Sequence, residues 1–162
     1  MSTAPENPEP SPTQNPKPET RNSIDVSAGL VFRNGHLLIT QRHADAHLGG
    51  LWEFPGGKRE PGETFGDCLT RELREELALE VTVGELLETI EHQYPEKRVR
   101  LKFFRCAWRA HEPQALGCPA FAWVTREELA NYEFPAADAR LLERLRESQE
   151  WWRSDSLGVS GR

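Results

Sequence analysis

The sequence predicts an α/β protein, a mixed sheet covered by helices on both faces, and three observations carry that expectation. Runs rich in β-branched and aromatic residues, separated by turn residues, occur both before and after the middle of the chain. Between them Phe65, Leu69, Leu73 and Leu77 recur every fourth residue, the signature of one buried helix face. A second helical pattern closes the chain, so strands with helices on either side need cover on both sheet faces. A chain of 162 residues with 37% hydrophobic content suffices for one sizeable core.

In chain order, residues 1–22 hold six of the twelve prolines among Ser, Thr, Asn and Glu, with no apolar periodicity. They read as a disordered or polyproline-like tail. Lacking an apolar stretch, this tail is no secretory signal, and its acidic residues argue against a transit peptide. Ile24 to Phe32 reads as a strand, Arg33-Asn34-Gly35-His36 as a hairpin turn and Leu37 to Arg42 as its partner. The central helix follows. Val81 to His92 and Val99 to Trp108 are strand-like, and Phe121 to Val124 is a short strand. Thr125 and Glu128 form a capping box for a short helix. The last helix starts near Ala136, with Leu141, Leu142 and Leu145 on its buried side. One folded domain is expected over 23–150, with a polar tail at 151–162. Trp108, Trp123, Trp151 and Trp152 are assigned to packing or to the terminus.

Charge and cysteine usage narrow the function classes. A net charge of −6 argues against binding a nucleic-acid polymer but leaves a free nucleotide with its own cation compatible. No apolar run reaches transmembrane length, so no membrane partner is expected. Cys68, Cys106 and Cys118 are odd in number and lack metal-ligand spacing, which points to reduced thiols and a cytoplasmic setting.

The chemistry-bearing stretch is GKREPGETFGDCLTRELREELAL, residues 57–79. Gly56-Gly57 and Pro61-Gly62 punctuate turns, so Lys58 to Glu63 reads as a tight loop. Thr64 is the expected helix N-cap, with Asp67 at the capping-box position. At about 100° per residue, Glu72, Glu75 and Glu76 share a sector roughly 100° wide beside the apolar ridge. Like charges four residues apart cost an isolated helix a few tenths of a kcal/mol. Hard cations bound on the patch would offset that cost, since Mg²⁺ binds through a few carboxylates and substrate phosphates. An Arg- and Glu-rich helix also describes a solvated face with pairs such as Arg71–Glu75. Gly57 and Glu63, in register with the patch, favour the metal reading.

The stretch resembles the Nudix box, Gly-x5-Glu-x7-Arg-Glu-U-x-Glu-Glu-x-Gly-U with U aliphatic. Gly57, Glu63, Arg71, Glu72, Leu73, Glu75, Glu76 and Leu79 agree with it, and Ala78 stands at its last glycine. Within that family the chain is most similar to MutT-type 8-oxo-dGTP diphosphatases, from about Ile24 to Arg146. The segments Gln41 to His47, Trp52 to Gly57, Tyr94 to Lys97 and Phe134 to Asp138 add to the likeness. The resemblance implies an α/β/α sandwich on a mixed sheet, with the box as strand–loop–helix. It implies hydrolysis of (deoxy)nucleoside triphosphates, foremost 8-oxo-dGTP, to monophosphate and pyrophosphate by attack of water at the β-phosphorus. Mg²⁺ is the implied cofactor, with Mn²⁺ as its substitute, held by Glu72, Glu75, Glu76 and the Gly56 carbonyl. Glu63, Arg71, Glu72, Glu75 and Glu76 are the implied catalytic set, Arg71 orienting a box carboxylate such as Glu63. Arg42 and His47 would meet the nucleotide, while Glu53, Phe54, Pro55 and Gly56 line the base site with Asp138. Phe54 also suits a core position, and Lys97 and Arg98 suit plain turn charges. A monomer or weak dimer is expected.

Two departures matter. MutT-like enzymes commonly carry a glutamate in the loop before the last strand, where this chain has Gly117. Either the general base is Glu63, a box glutamate, or Glu112 reaching in, or activity is reduced. The MutT type has asparagine where this chain has Asp138. A carboxylate only accepts unless protonated, so Asp138 suits guanine N1–H and N2–H or the cytosine N4 amino group. Nudix enzymes active on cytosine nucleotides have a similar Pro-Ala-Asp segment, which keeps a CTP/dCTP hydrolase as the alternative. A non-catalytic nucleotide-binding domain is another reading, against which stand the four intact box glutamates, and hydrolysis of nucleotide-sugars such as ADP-ribose is a further one, against which stands the match to the MutT nucleotide-binding segments.

Overall fold

The computed structural model describes residues 23–153. The expected tail at 1–22, and 154–162 of the expected C-terminal tail, lie outside the described residues. Seven strands form one mixed sheet: β1 (Ser23–Arg33), β2 (His36–Gln41), β3 (Trp52–Glu53), β4 (Gly56–Lys58), β5 (Glu80–Gln93), β6 (Arg98–Ala110) and β7 (Phe121–Val124). The main path runs β3-β2-β1-β6-β5, with β4 added to β1 and β7 to β2. β1 and β6 run parallel, with Ala28 opposite Phe103, and the other pairs are antiparallel. Asn34 (φ 51°) and Gly35 (φ 74°) turn β1 into β2 with both residues left-handed, the hairpin geometry an Asn-Gly pair favours.

Helix α1 (Phe65–Leu77) covers one face and α2 (Ala139–Glu147) the other. Side chains alternate along β1, so Val31 joins Leu38, Leu69, Leu73, Leu77 and Cys106 under α1, while Leu30 and Phe32 join Leu37, Phe103, Leu141 and Leu145 under α2. The expected sandwich is present. Its last helix begins as a 3-10 turn at Ala136–Asp138 before becoming α-helical. The reciprocal bonds of the second capping box are also formed, Glu128 N–H to Thr125 Oγ1 and Thr125 N–H to the Glu128 carboxylate, each 3.2 Å.

One boundary moves. Packing continues past residue 150, because Trp151 and Trp152 are 8% and 6% exposed. Trp152 donates its indole N–H to the Leu145 carbonyl at 2.8 Å and meets Phe32 edge to face. Buried Arg105 gathers the carbonyls of Glu150, Trp151 and Arg153, which fixes this segment against the sheet. The proposed 151–162 tail is thus core at its start: two adjacent indoles have too much apolar area to leave in water.

Candidate active site

Backbone geometry sets out the site before any side chain does. β4 lies so close to β1 that a Cβ on Gly56 would collide with the Ser27 carbonyl and stand 2.8 Å from Ala28 Cα. A Cβ on Gly57 would lie 2.5 and 2.6 Å from the two carboxylate oxygens of Glu72. The paired glycines let β4 pass beneath the helix and leave room for a carboxylate on its backbone. Thr64 then starts α1, its hydroxyl accepting the Asp67 N–H at 3.0 Å. The helix ends at Ala78 in the left-handed region (φ 56°), with the Leu79 N–H bonded to the Leu73 carbonyl. That is where the motif has glycine, since glycine carries no Cβ penalty there.

Arg71 organises the carboxylates. It grips Glu63 with Nε and Nη2 at 2.7 and 2.8 Å, and its Nη1 reaches Glu72 at 3.0 Å and Glu75 at 3.2 Å. The Lys58 carbonyl accepts a further bond from Nη2. Hydrogen bonding by Arg71, and the Glu60 N–H, hold the Glu63 carboxyl down to about 2. Glu63 is therefore a fixed anchor and a poor proton acceptor. Glu76 is the opposite case. Burial, then the charges of Glu72, Glu53 and Glu75, push its carboxyl up to about 8. Burial also raises Glu72, with Arg71 opposing. Glu75 is exposed.

The loop between β6 and β7 lies flat on the last turn of α1. The Leu116 and Gly117 N–H groups both donate to the Glu76 carbonyl at 3.0 Å, and a Cβ on Gly117 would stand 2.9 Å from Glu76 Cγ. Gly117 is required by this close approach. His43 reaches the Gly117 carbonyl at 3.1 Å with Nε2. Glu112 does not come to the site: it pairs with Arg33 at 2.8 Å, while the Arg33 guanidinium stacks on Trp108 at 4.0 Å. Of the three candidate bases, the geometry removes Glu112 and disfavours Glu63, which leaves the box glutamates.

A cavity of about 370 Å³ opens on the α2 face, lined by Arg42, His47, Glu53, Phe54, Tyr94, Lys97 and Asp138 and ending at Gly56-Gly57, against which Glu72 rests. Arg42 binds Glu53 at 2.6 Å and the His47 carbonyl at 2.7 Å. Asp138 is 8% exposed, and burial, then Glu53, raise its carboxyl to about 6 against the pull of Arg42. Phe54 is 5% exposed, its ring stacked on Phe134 and edge-on to Phe103. It forms the wall of the cleft, and a base-stacking role has no free ring face of Phe54 to use. Pro55 is buried, with its carbonyl bonded to the Gly29 N–H at 2.8 Å, and is absent from the lining. Lys97, read as a plain turn charge, and Tyr94 both reach the cleft because β5 and β6 are long enough to bring their hairpin over it. Strand length was the signal for this.

The donor set fits a hard divalent cation. The Glu76 carboxylate has no hydrogen-bond or ion-pair partner among the described residues, is desolvated, and stands among the like charges of Glu72, Glu53 and Glu75. Carboxylate oxygens and a backbone carbonyl suit Mg²⁺ or Mn²⁺. Arg71 bonds Glu72 and Glu75, and among the described residues no three acidic, His or Cys side chains already converge as ligands.

Comparison with known proteins agrees in extent with the fold. The NUDIX domain model matches residues 27–144. The CTP pyrophosphohydrolase of Escherichia coli K12 is 40% identical over 125 residues, 74% of this chain and 89% of that protein. The 8-oxo-dGTP diphosphatase of the same organism is 31% identical over 124 residues, 76% and 96% of the two chains. The solution structure of the E. coli ORF135 protein superposes with a TM-score of 0.63 at 36% identity, covering 79% of this chain and 91% of that one. With the domain match spanning α1, the first part of α2 and the entire glutamate cluster, the chain belongs to the Nudix hydrolase family, whose members generally need a divalent metal.

Proposed function

We propose that this domain hydrolyses (deoxy)nucleoside triphosphates to monophosphate and pyrophosphate, with 8-oxo-dGTP as its preferred substrate and Mg²⁺ as its metal. One observation carries the reading: the cleft that takes a base ends on Gly56-Gly57, the strand that supports Glu72 and the carboxylate cluster. Glu72, Glu75, Glu76 and the Gly56 carbonyl would hold the metal. When bound, it neutralises triphosphate charge and acidifies a water for attack at phosphorus. Arg71 positions the carboxylates through Glu63. Arg42, released from Glu53, meets phosphate oxygens, as a guanidinium fork suits. The base that takes a proton from water is one of the box glutamates. Mn²⁺ would substitute for Mg²⁺.

At the base end, Asp138 presents a carboxyl that carries its proton below about pH 6. Protonated, it both donates and accepts, as an asparagine does, and can face guanine. Ionised, it only accepts, from guanine N1–H and N2–H or from the cytosine amino group. That carboxyl, together with a 40% identical relative named a CTP pyrophosphohydrolase, supports a second reading, hydrolysis of CTP or dCTP. The deciding experiment is kcat/KM for 8-oxo-dGTP, dGTP, CTP, dCTP and 5-substituted dCTP with pyrophosphate detection. The first reading expects 8-oxo-dGTP to lead by tenfold or more, at least about 1.4 kcal/mol. A lead for cytosine nucleotides establishes the second.

A further inference from the structure

A larger cavity, of about 450 Å³, lies on the α1 face of the sheet at the outer end of the parallel pair β1–β6. Asp25, Arg59, Glu60, Arg98 and Arg100 line it. Parallel register sets Asp25 beside Arg100, and strand alternation puts Lys102 on the same face. This is the face opposite Val26, Val99 and Leu101, which line the nucleotide cleft.

The charge is out of balance there. Arg59, Arg100 and Lys102 stand 5.1, 5.6 and 4.3 Å from the centroid of one ring, that of Phe65. One carboxylate opposes the three: Asp25 accepts from Arg59 Nε and Nη2 at 3.2 and 2.8 Å, and from Arg100 Nε and Nη2 at 3.1 and 3.3 Å. Glu60 leans toward Arg71 at 3.9 Å, and Glu91 pairs with Arg98 at 2.5 Å. No ion pair holds Lys102 among the described residues. In a chain of net charge −6, three cations sharing one ring against a single carboxylate repel one another.

The shared carboxylate also holds two guanidiniums in place, so an incoming ligand meets little of the ordering cost of long side chains. Guanidinium forks match phosphate oxygens. A phosphate group brings close to two negative charges at neutral pH, against cations that share the one Asp25 carboxylate. We propose that this cavity is a second anion site, holding a phosphate-bearing small molecule on the sheet face opposite the nucleotide cleft. Arg100 supplies charge from the lining, and Lys102, outside the lining but on the same sheet face beside Phe65, adds to it. Arg59 ties it to the loop before α1 through its Nη1 bond to the Glu63 carbonyl at 2.8 Å.

The test is a titration of the ¹⁵N-labelled full chain in EDTA, where the carboxylate cluster holds no metal and repels anions from the cleft. Inorganic phosphate, inorganic pyrophosphate and ATP are the probes, at constant ionic strength set with chloride. The proposal expects saturable amide shifts at Asp25, Arg59, Phe65 and Arg100–Lys102 with dissociation constants of about 1 mM or tighter, a scale of roughly 4 kcal/mol. Lys102→Gln and Arg100→Gln should each weaken pyrophosphate at least about tenfold, as loss of a charge-assisted bond does. Equal binding of pyrophosphate and ATP assigns the site to the phosphate chain, and tighter ATP assigns it to a nucleotide. Lys102→Gln leaves the Asp25 network intact, so it keeps the test valid if Arg100→Gln fails to fold. No saturable shift, shifts only around Arg42 and Asp138, or affinity unchanged in Lys102→Gln overturns the proposal.

Discussion

Replacing Asp138 by asparagine should stabilise the domain, by an amount that depends on pH. Asp138 is 8% exposed, and burial, with Glu53 nearby, raises its carboxyl from 3.8 to about 6. A carboxyl with a higher pKa in the folded chain than in the unfolded one holds its proton more tightly when folded. Its penalty is therefore absent below about 3.8, grows as pH rises and is complete above about 6. Two units at about 1.4 kcal/mol each put that penalty near 3 kcal/mol as an order of magnitude. The amide has no charge to desolvate, so Asp138→Asn should gain about nothing near pH 4, roughly 1.5 kcal/mol near pH 5 and up to about 3 kcal/mol at pH 7. The neutral-pH figure is an upper bound, because a buried amide also needs hydrogen-bond partners. Urea unfolding of both proteins at several pH values, followed by tryptophan fluorescence, measures the difference directly. A gain equal at every pH, or a loss at pH 7, would refute the reasoning that a desolvated carboxylate stands at 138. The same substitution should shift base selectivity by about 1–3 kcal/mol, the scale of one bidentate base contact.

Gly57→Ala should cut kcat by about a hundredfold or more with little change in Tm, since its Cβ displaces the Glu72 carboxylate rather than core atoms; activity within threefold of wild type would contradict this. Ala78→Gly should stabilise by about 1 kcal/mol, because residue 78 sits at φ 56°, and a lower Tm would count against the strained cap. Trp152→Ala should cost about 3–5 kcal/mol by denaturant unfolding, with kcat unchanged well below the new melting point. A loss under about 1 kcal/mol would mean that the segment after residue 150 is not part of the core.

The periodic elements were legible in the sequence because their signals are local. Phe65, Leu69, Leu73 and Leu77 mark α1, and Thr64 with Asp67 marks its start, each acting within one or two helical turns. The pairing of Arg71 with Glu63 was also within reach, since a loop and the helix it leads into place them together. What escaped depends on distant contacts. Trp151 and Trp152 read as a terminus because nothing near them shows that Phe32 and Arg105 wait on the sheet. Phe54 became wall because Phe103 and Phe134, far away in sequence, take its ring. Glu112 was drawn off by Arg33, and Gly117 proved to be a packing requirement set by Glu76. Arg59, Arg100 and Lys102 gather around Phe65 only through the parallel β1–β6 pairing, which no local pattern announces.

The most direct test of the central claim is single-turnover hydrolysis of 8-oxo-dGTP by wild-type protein and by Glu76→Gln, with and without saturating Mg²⁺, resolving the products. The account predicts monophosphate and pyrophosphate from wild type with Mg²⁺ only. It predicts under about a tenth of that rate from Glu76→Gln, a loss of at least about 1.4 kcal/mol of transition-state stabilisation. The metal-free variant should be at least as stable as wild type, because burial and neighbouring charges hold the Glu76 carboxyl near 8 and its charge is a burden to the fold. Turnover without metal, release of orthophosphate in place of pyrophosphate, or near-normal rates from Glu76→Gln would contradict the assignment of hydrolysis to this cluster.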